Sequence, residues 1–285
     1  MVDQTEASLL RRALGAVGGE RRRAALPWAD WSLGLYVAGV MAFLYLPIAV
    51  LILFSFNDNR SLSLPLKGFT LHWYEAFLAN EDMLAAIGNS LYVACFATAI
   101  TIVIGVPAAL ALDRYRFPGK AAFRRAVLLP IALPGIITGI SMLNMAKMLG
   151  VPLSLETVIA GHATALVSIV VTQVFARLQR FDRRLEEASA DLGVGPLRTF
   201  WRVTLPNIRS AIVGSALLSF TLSFDEIPVT FFLTGRENTL PMYIYSTLRR
   251  GITPEINAVG TVIVLASLAM IVLSVLLLRE RGAKA

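Results

Sequence analysis

Two adjacent carboxylates, Asp225 and Glu226, stand inside the otherwise apolar run Ala211–Leu233. An ionised side chain at the middle of a bilayer costs at least about 2.5–3.5 kcal/mol. Two chemistries fit such a pair. The carboxylates line a path for a cationic solute, or they form a structural pair held by backbone groups or by an Arg of a partner subunit. Pro228 follows closely and can unwind a helix at that point. Other reactive residue types are sparse. His72 and His162 are far apart in sequence, and Cys95 is the single cysteine, so neither a disulfide within the chain nor a metal cluster of recognisable spacing is expected. Gly119-Lys120 is followed by Ala121 and has no Gly at the upstream position of a phosphate-binding loop. No Ser/His/Asp set for covalent catalysis is present. The chain alone is therefore expected to be no enzyme. Lys147, near the end of another apolar run, can extend its stem to a membrane interface and is given no role.

A second constellation lies in the loop Leu178–Ser210. Phe181, Leu185, Ala188 and Leu192 recur at helical spacing and form one narrow apolar face. Asp182 can cap the start of that helix. Gly193 can end it, because Gly accepts the left-handed conformation. Gly195 extends the turn, and Pro196 suits the first position of a second helix. That helix carries Phe200 and Trp201 and is expected to stop at Leu205-Pro206. The expectation is two short helices joined by a tight turn at a membrane surface. They either pack on the membrane bundle or act as a rigid knob for a soluble partner.

The elements that position these residues follow from composition. The 285-residue chain is 56% hydrophobic and only 16% charged, against about 25% in soluble domains. Six runs reach the roughly 20 apolar residues that a membrane helix needs. They are Ser32–Phe56, Ala86–Leu112, Ala126–Leu149, Val158–Ala176, Ala211–Leu233 and Asn257–Leu278. Backbone polar groups in lipid must be satisfied within each span, so all six are expected as helices. The first is too long for a signal-peptide core and lacks a small-residue cleavage site, so it is expected to remain as a span. Pro107, Pro130, Pro134 and Gly135 should kink or loosen the second and third spans.

Most of the 26 Lys and Arg fall in the N-terminal arm, the loops after the second and fourth spans, and the tail. Arg60, Lys67, Lys147, Arg236, Arg249 and Arg250 fall on the other side. Positive charge stays inside, which assigns both termini and the loop Leu178–Ser210 to the cytoplasm. The net charge of +7 is explained by these loops. No basic patch is interleaved with stacking aromatics, so no nucleic acid is expected as a partner. The outer loops, with Trp73, Tyr74, Glu75, Glu81 and Asp82 and with Pro241-Met242-Tyr243, are expected to form short interfacial helices.

The loop also resembles a known motif. Glu187-Ala188-Ser189, then Gly193, then Leu205-Pro206, resembles the EAA loop of binding-protein-dependent ABC importer permeases, with Ser189 in place of the second Ala. The likeness extends from about Leu46 to Ser267. It includes the stretches L-Y-L-P-I-A-V-L-I-L-F-S-F-N, R-Y-R-F-P-G-K, S-F-T-L-S-F-D-E and S-T-L-R-R-G-I-T-P-E-I-N-A. Together these look like the second permease subunit of spermidine/putrescine importers.

The resemblance implies an all-α membrane protein with the six-helix fold of a type I ABC importer permease. It divides the chain into an arm over 1–30, a permease domain over 31–279 with the coupling loop at 178–210, and a tail over 280–285. It implies that Glu186, Glu187, Ala188, Asp191, Gly193, Leu205 and Pro206 couple the permease to an ATPase subunit. Asp225 and Glu226 are the candidates for the substrate pathway. The implied partners are a second permease, as a heterodimer, two ATPase subunits, a periplasmic or extracellular binding protein and the lipid of a bacterial inner membrane. No cofactor is expected in this chain, since ATP and Mg belong to the ATPase subunits. A polyamine is the expected substrate. Aminoethylphosphonate, an amino acid, or an ion-coupled secondary transporter are the alternatives.

Overall fold

The computed structural model describes residues 27–59, 65–250 and 254–282. Most of the N-terminal arm, together with Arg60 and Lys284, lies outside the described residues. Helix α1 (Pro27–Ser55) is followed by a short α2 (His72–Ala79) and the long α3 (Glu81–Arg114). Next come α4 (Lys120–Ala132), α5 (Gly135–Leu149) and α6 (Leu155–Gln179). The loop helix α7 (Arg184–Asp191) precedes α8 (Pro196–Thr199), a π-helical turn (Phe200–Thr204) and α9 (Leu205–Phe224). The chain ends in α10 (Pro228–Leu233), α11 (Leu240–Arg250) and α12 (Pro254–Gly282).

Among the described residues, four helices are long and apolar enough to cross a membrane: Trp31–Ser55, Glu81–Arg114, Leu155–Gln179 and Pro196–Phe224. The expected third span, Ala126–Leu149, is not one helix. It is α4 and α5, bent by 107°. Leu133 is extended, with ψ 136°, as the residue before a proline prefers. Pro134 then opens α5. The bend thus falls at Pro134, while Pro107 and Pro130 stay inside continuous helices. The expected sixth span falls within α12, whose stretch Pro254–Ala269 is apolar. The two loops expected to form short helices do so, as α2 and α11.

Two hydrophobic clusters are stacked along α3 and α6. One joins Val106, Ala109 and Leu112 to Val170, Val171, Val174 and Leu178, and Ile208 of α9 closes it. The other joins Val93 and Ala97 to Leu155, Val158 and Ile159, and it is closed by Val229 and Leu233 of α10. Helices α3 and α6 approach closely at Gly105, where a Cβ would sit 2.8 Å from Val170 Cβ. Small residues at such contacts let backbones pack in a membrane. The chain passes from the first cluster to the second through the break between α9 and α10. A third cluster, with Phe77, Met83, Leu240 and Val259, joins α2, α3, α11 and α12.

The expected stop at Leu205-Pro206 is corrected. Pro196–Phe224 is one continuous helical rod. Pro206 lacks an N–H and would break an ordinary ladder. Here the ladder widens just before it, with Leu205 N–H donating to Phe200 O, so the proline is absorbed in a π-turn. The expected span Ala211–Leu233 is corrected in the same way. Its helix starts at Pro196 and ends at Phe224, and a second short helix follows the break.

Candidate functional site: a pocket between broken spans and a surface knob

The two carboxylates lie at the α9–α10 break and part company there. Asp225 is exposed, while Glu226 is half-buried. Glu226 Oε1 accepts from Val229 N–H at 3.0 Å. It thereby caps α10, whose first N–H groups have no helical partner. The second broken span faces this one. Gly135 and Gly139 of α5 abut Pro228, Val229 and Phe232, and a Cβ on Gly139 would come within 2.7 Å of the Phe232 ring. Between the two breaks lies a cavity of about 210 Å³, bordered by Gly135, Thr138, His162, Ser223, Glu226 and Val229. Its remaining wall is largely aliphatic. Asp225 is outside this lining.

His162 of α6, set aside above as a metal ligand, was given no other role, because a lone histidine in an apolar run carries no pattern. It is 2% exposed and spans the break. Nδ1 lies 2.8 Å from Ser223 Oγ in the last turn of α9. Nε2 lies 2.9 Å from Thr230 Oγ1 in the first turn of α10.

The loop after α6 forms a compact knob. Gly193 has φ +75°, which makes the tight turn, and Asp182 Oδ1 accepts from Arg184 N–H to start α7. Ser189 and Thr199 hydroxyls meet across the turn at 2.9 Å. Phe181 is buried at the base, with the Arg114 guanidinium 5.5 Å from its ring centroid. The rest of the expected apolar face is uncovered. Leu185 is 48% and Leu192 83% exposed, and Ala188 is exposed too; beyond the turn, Leu197 is 71% and Trp201 60% exposed.

The expected coupling residues divide into two sets. Glu187, Ala188 and Asp191 are exposed on the knob. Glu186 turns inward, where its Oε1 accepts from Arg114 at 2.8 Å and from Thr204 Oγ1. Leu205 and Pro206 are beyond the turn, in the rod. Beneath the knob sits Asp113, whose side chain is fully buried. It accepts from Gln179 Nε2 and from Arg183 at 3.0 Å, and it pairs with Arg114 at 3.2 Å. Asp113 and Arg183 thus tie the end of α3 to the entry of the knob. Sequence reasoning missed this carboxylate, since an acidic residue at the edge of a basic loop reads as an ordinary interfacial charge.

A helical membrane bundle with two spans broken around a pocket, and a rigid knob with an uncovered apolar face, defines a transport permease. The chain belongs to the family described as binding-protein-dependent transport system inner membrane component, whose model matches residues 101–279. That match contains the knob, the pocket and both breaks.

Relatives include the spermidine/putrescine transport system permease protein PotC of Haemophilus influenzae, 36% identical over 85% of this chain and 95% of the relative. PotC of Escherichia coli K12 is 36% identical over 87% and 94%. The putrescine transport system permease protein PotI of the same strain is 36% identical over 82% and 86%. Among solved structures, a bacterial ABC transporter involved in the import of alginate aligns with a TM-score of 0.68 at 18% identity, covering 90% of this chain and 97% of that one. An inward-facing MetNI methionine ABC transporter aligns at 0.55 and 19% identity, over 70% and 94%. The fold is that of ABC importer permeases, and the chain is a permease subunit of the inner membrane. Family membership leaves no room for the ion-coupled alternative.

Proposed function

We propose that this chain forms half of the translocation path of an ATP-driven importer for polyamines such as spermidine or putrescine. The observation that carries the reading is Glu226, a half-buried carboxylate on a largely aliphatic cavity at the junction of two broken spans. A carboxylate offers charge-assisted hydrogen bonds to an ammonium group, and the aliphatic walls suit the methylenes between amines. Exposed Asp225 adds a second negative charge along the same break. The relatives named for spermidine and putrescine support the same substrate class. The cavity is smaller than the roughly 300–1,000 Å³ usual for a ligand site, which fits half a path whose other wall is a second permease.

The partners in this reading are that second permease, as a heterodimer, two ATPase subunits holding ATP and Mg, and a binding protein outside. The Lys/Arg distribution supports cytoplasmic termini and a cytoplasmic knob. The uncovered Leu185, Leu192, Leu197 and Trp201 then offer an apolar surface to a groove on the ATPase, with Glu187 and Asp191 at its rim. Closure of the ATPase pair draws the knobs together. The rods tilt with them, and the path opens outward to receive ligand. Hydrolysis returns it inward.

The test is ligand-stimulated ATP hydrolysis by the reconstituted complex across polyamines, amino acids and phosphonates. Polyamines should stimulate most. In parallel, the double variant Asp225→Asn, Glu226→Gln should lower polyamine uptake at least about tenfold, from the loss of charge-assisted contacts. Unchanged uptake at equal expression would refute the pathway role of the pair.

A further inference from the structure

We propose that His162 is a positioning residue for ligand recognition: it pins both sides of the α9–α10 break and so fixes where Glu226 presents its carboxylate. The inference rests on the pathway reading of Glu226. Its basis is a chain of hydrogen bonds that ends on Glu226 itself. Thr230 Oγ1 donates to the Glu226 carbonyl at 3.0 Å. A hydroxyl has one proton, so this same oxygen must accept at His162 Nε2, 2.9 Å away. Nε2 therefore carries the ring proton. In the neutral ring Nδ1 is then an acceptor, and Ser223 Oγ donates to it at 2.8 Å. The order runs from Ser223 through His162 and Thr230 to the Glu226 carbonyl, with every donor matched to an acceptor.

Glu226 is thereby held at two points. Its carbonyl is held by Thr230, and its carboxylate by Val229 N–H. Both points lie in the first turn of α10, so Glu226 moves with α10, and His162 bonds that turn through Thr230 and the last turn of α9 through Ser223. Gly161, next to it, lets α6 approach closely enough for this. A Cβ there would lie 2.5 Å from Leu233 Cδ1 and 2.7 Å from Val229 Cγ1. A broken span in hydrocarbon has free backbone groups that side chains must satisfy. His162 and the two hydroxyls supply that order where the two hydrophobic clusters leave a gap.

The test uses the complete reconstituted transporter with its binding protein, and measures spermidine uptake against concentration. His162→Leu removes both links. His162→Asn can retain only the link toward Ser223, and His162→Gln can retain the link toward Thr230 and Glu226. Thr230→Val cuts the chain without touching His162. The expected result is a half-saturating concentration raised about tenfold in His162→Leu, His162→Asn and Thr230→Val, with a maximal rate per assembled complex within about twofold. His162→Gln should stay within about twofold of the parent in both.

A merely structural histidine would lower the amount of complex and leave half-saturation alone. Should His162→Leu fail to assemble, Thr230→Val and the Gln/Asn pair carry the same comparison. Parent-like half-saturation in Thr230→Val, or a His162→Gln no better than His162→Asn, would overturn the inference. Glu226→Gln is run beside them. If it shifts half-saturation while the His162 and Thr230 variants do not, only the positioning role falls. If Glu226→Gln is itself without effect, the pathway reading falls first.

Discussion

Asp113 is enclosed at the end of α3 by Gln179, Arg183 and Arg114. A buried carboxylate is tolerated when it is paired and hydrogen-bonded. Arg183 is 52% exposed, so its share of the attraction is screened by water, and the hydrogen bonds carry most of the effect. Replacing Asp113 by Asn should destabilise the knob by about 1–2 kcal/mol. The expected readout is more ATP hydrolysed per ligand moved, with a modest fall in the melting temperature of the purified complex. An unchanged ratio would show that the knob does not need this anchor.

Gly193 makes a sharper test at the same scale. Its φ of +75° costs a side-chain-bearing residue about 1–2 kcal/mol, and Asn less than most. Nothing stands within 4 Å of the position a Cβ would take, so the backbone alone decides the outcome. Gly193→Val should abolish ligand stimulation of ATP hydrolysis, and Gly193→Asn should keep most of it. Equal behaviour of the two would remove the turn from the coupling argument.

At the scale of elements, the knob separates two uses of one amphipathic pattern. Phe181 faces inward and is buried, whereas Leu192 and Trp201 face outward. Polar replacements at exposed sites usually change stability by less than about 0.5 kcal/mol. Leu192→Glu with Trp201→Glu should therefore leave the permease folded while reducing co-purification of the ATPase subunit severalfold. Full co-purification would return the knob to a mere surface feature.

The helix pattern of this loop was legible because Asp182, Gly193 and Pro196 are strong local signals. Which carboxylate turns inward was not legible, because Glu186 and Glu187 differ only in the packing each meets. Pro206 was misread for a related reason. Proline marks an end when the ladder is assumed regular, and a π-turn is a cooperative choice of the whole segment.

For the molecule as a whole, hydropathy and charge placement made the helical membrane architecture legible, since lipid leaves few backbone solutions. The breaks were legible as weak points at Pro134 and Pro228, but their size was not. A bend of 107° depends on what receives the two halves, and α10 receives α5 through glycine contacts far away in sequence. The role of His162, weighed in the sequence only as a metal ligand, was not legible on the same account. Its partners, Ser223 and Thr230, are brought to it by the fold alone.

No break interrupts the rod from Pro196 to Phe224. Its 29 residues run about 43 Å at 1.5 Å each, from the knob to the carboxylates. A helix transmits twist as well as tilt, so the azimuth of Asp225 is locked to that of the knob. Each residue advances that azimuth by about 100°. The relation between the two ends is therefore a phase, counted in residues. A single insertion or deletion between them would point the charge elsewhere with neither end altered, so in the coupling proposed above the length of this segment counts as much as its composition.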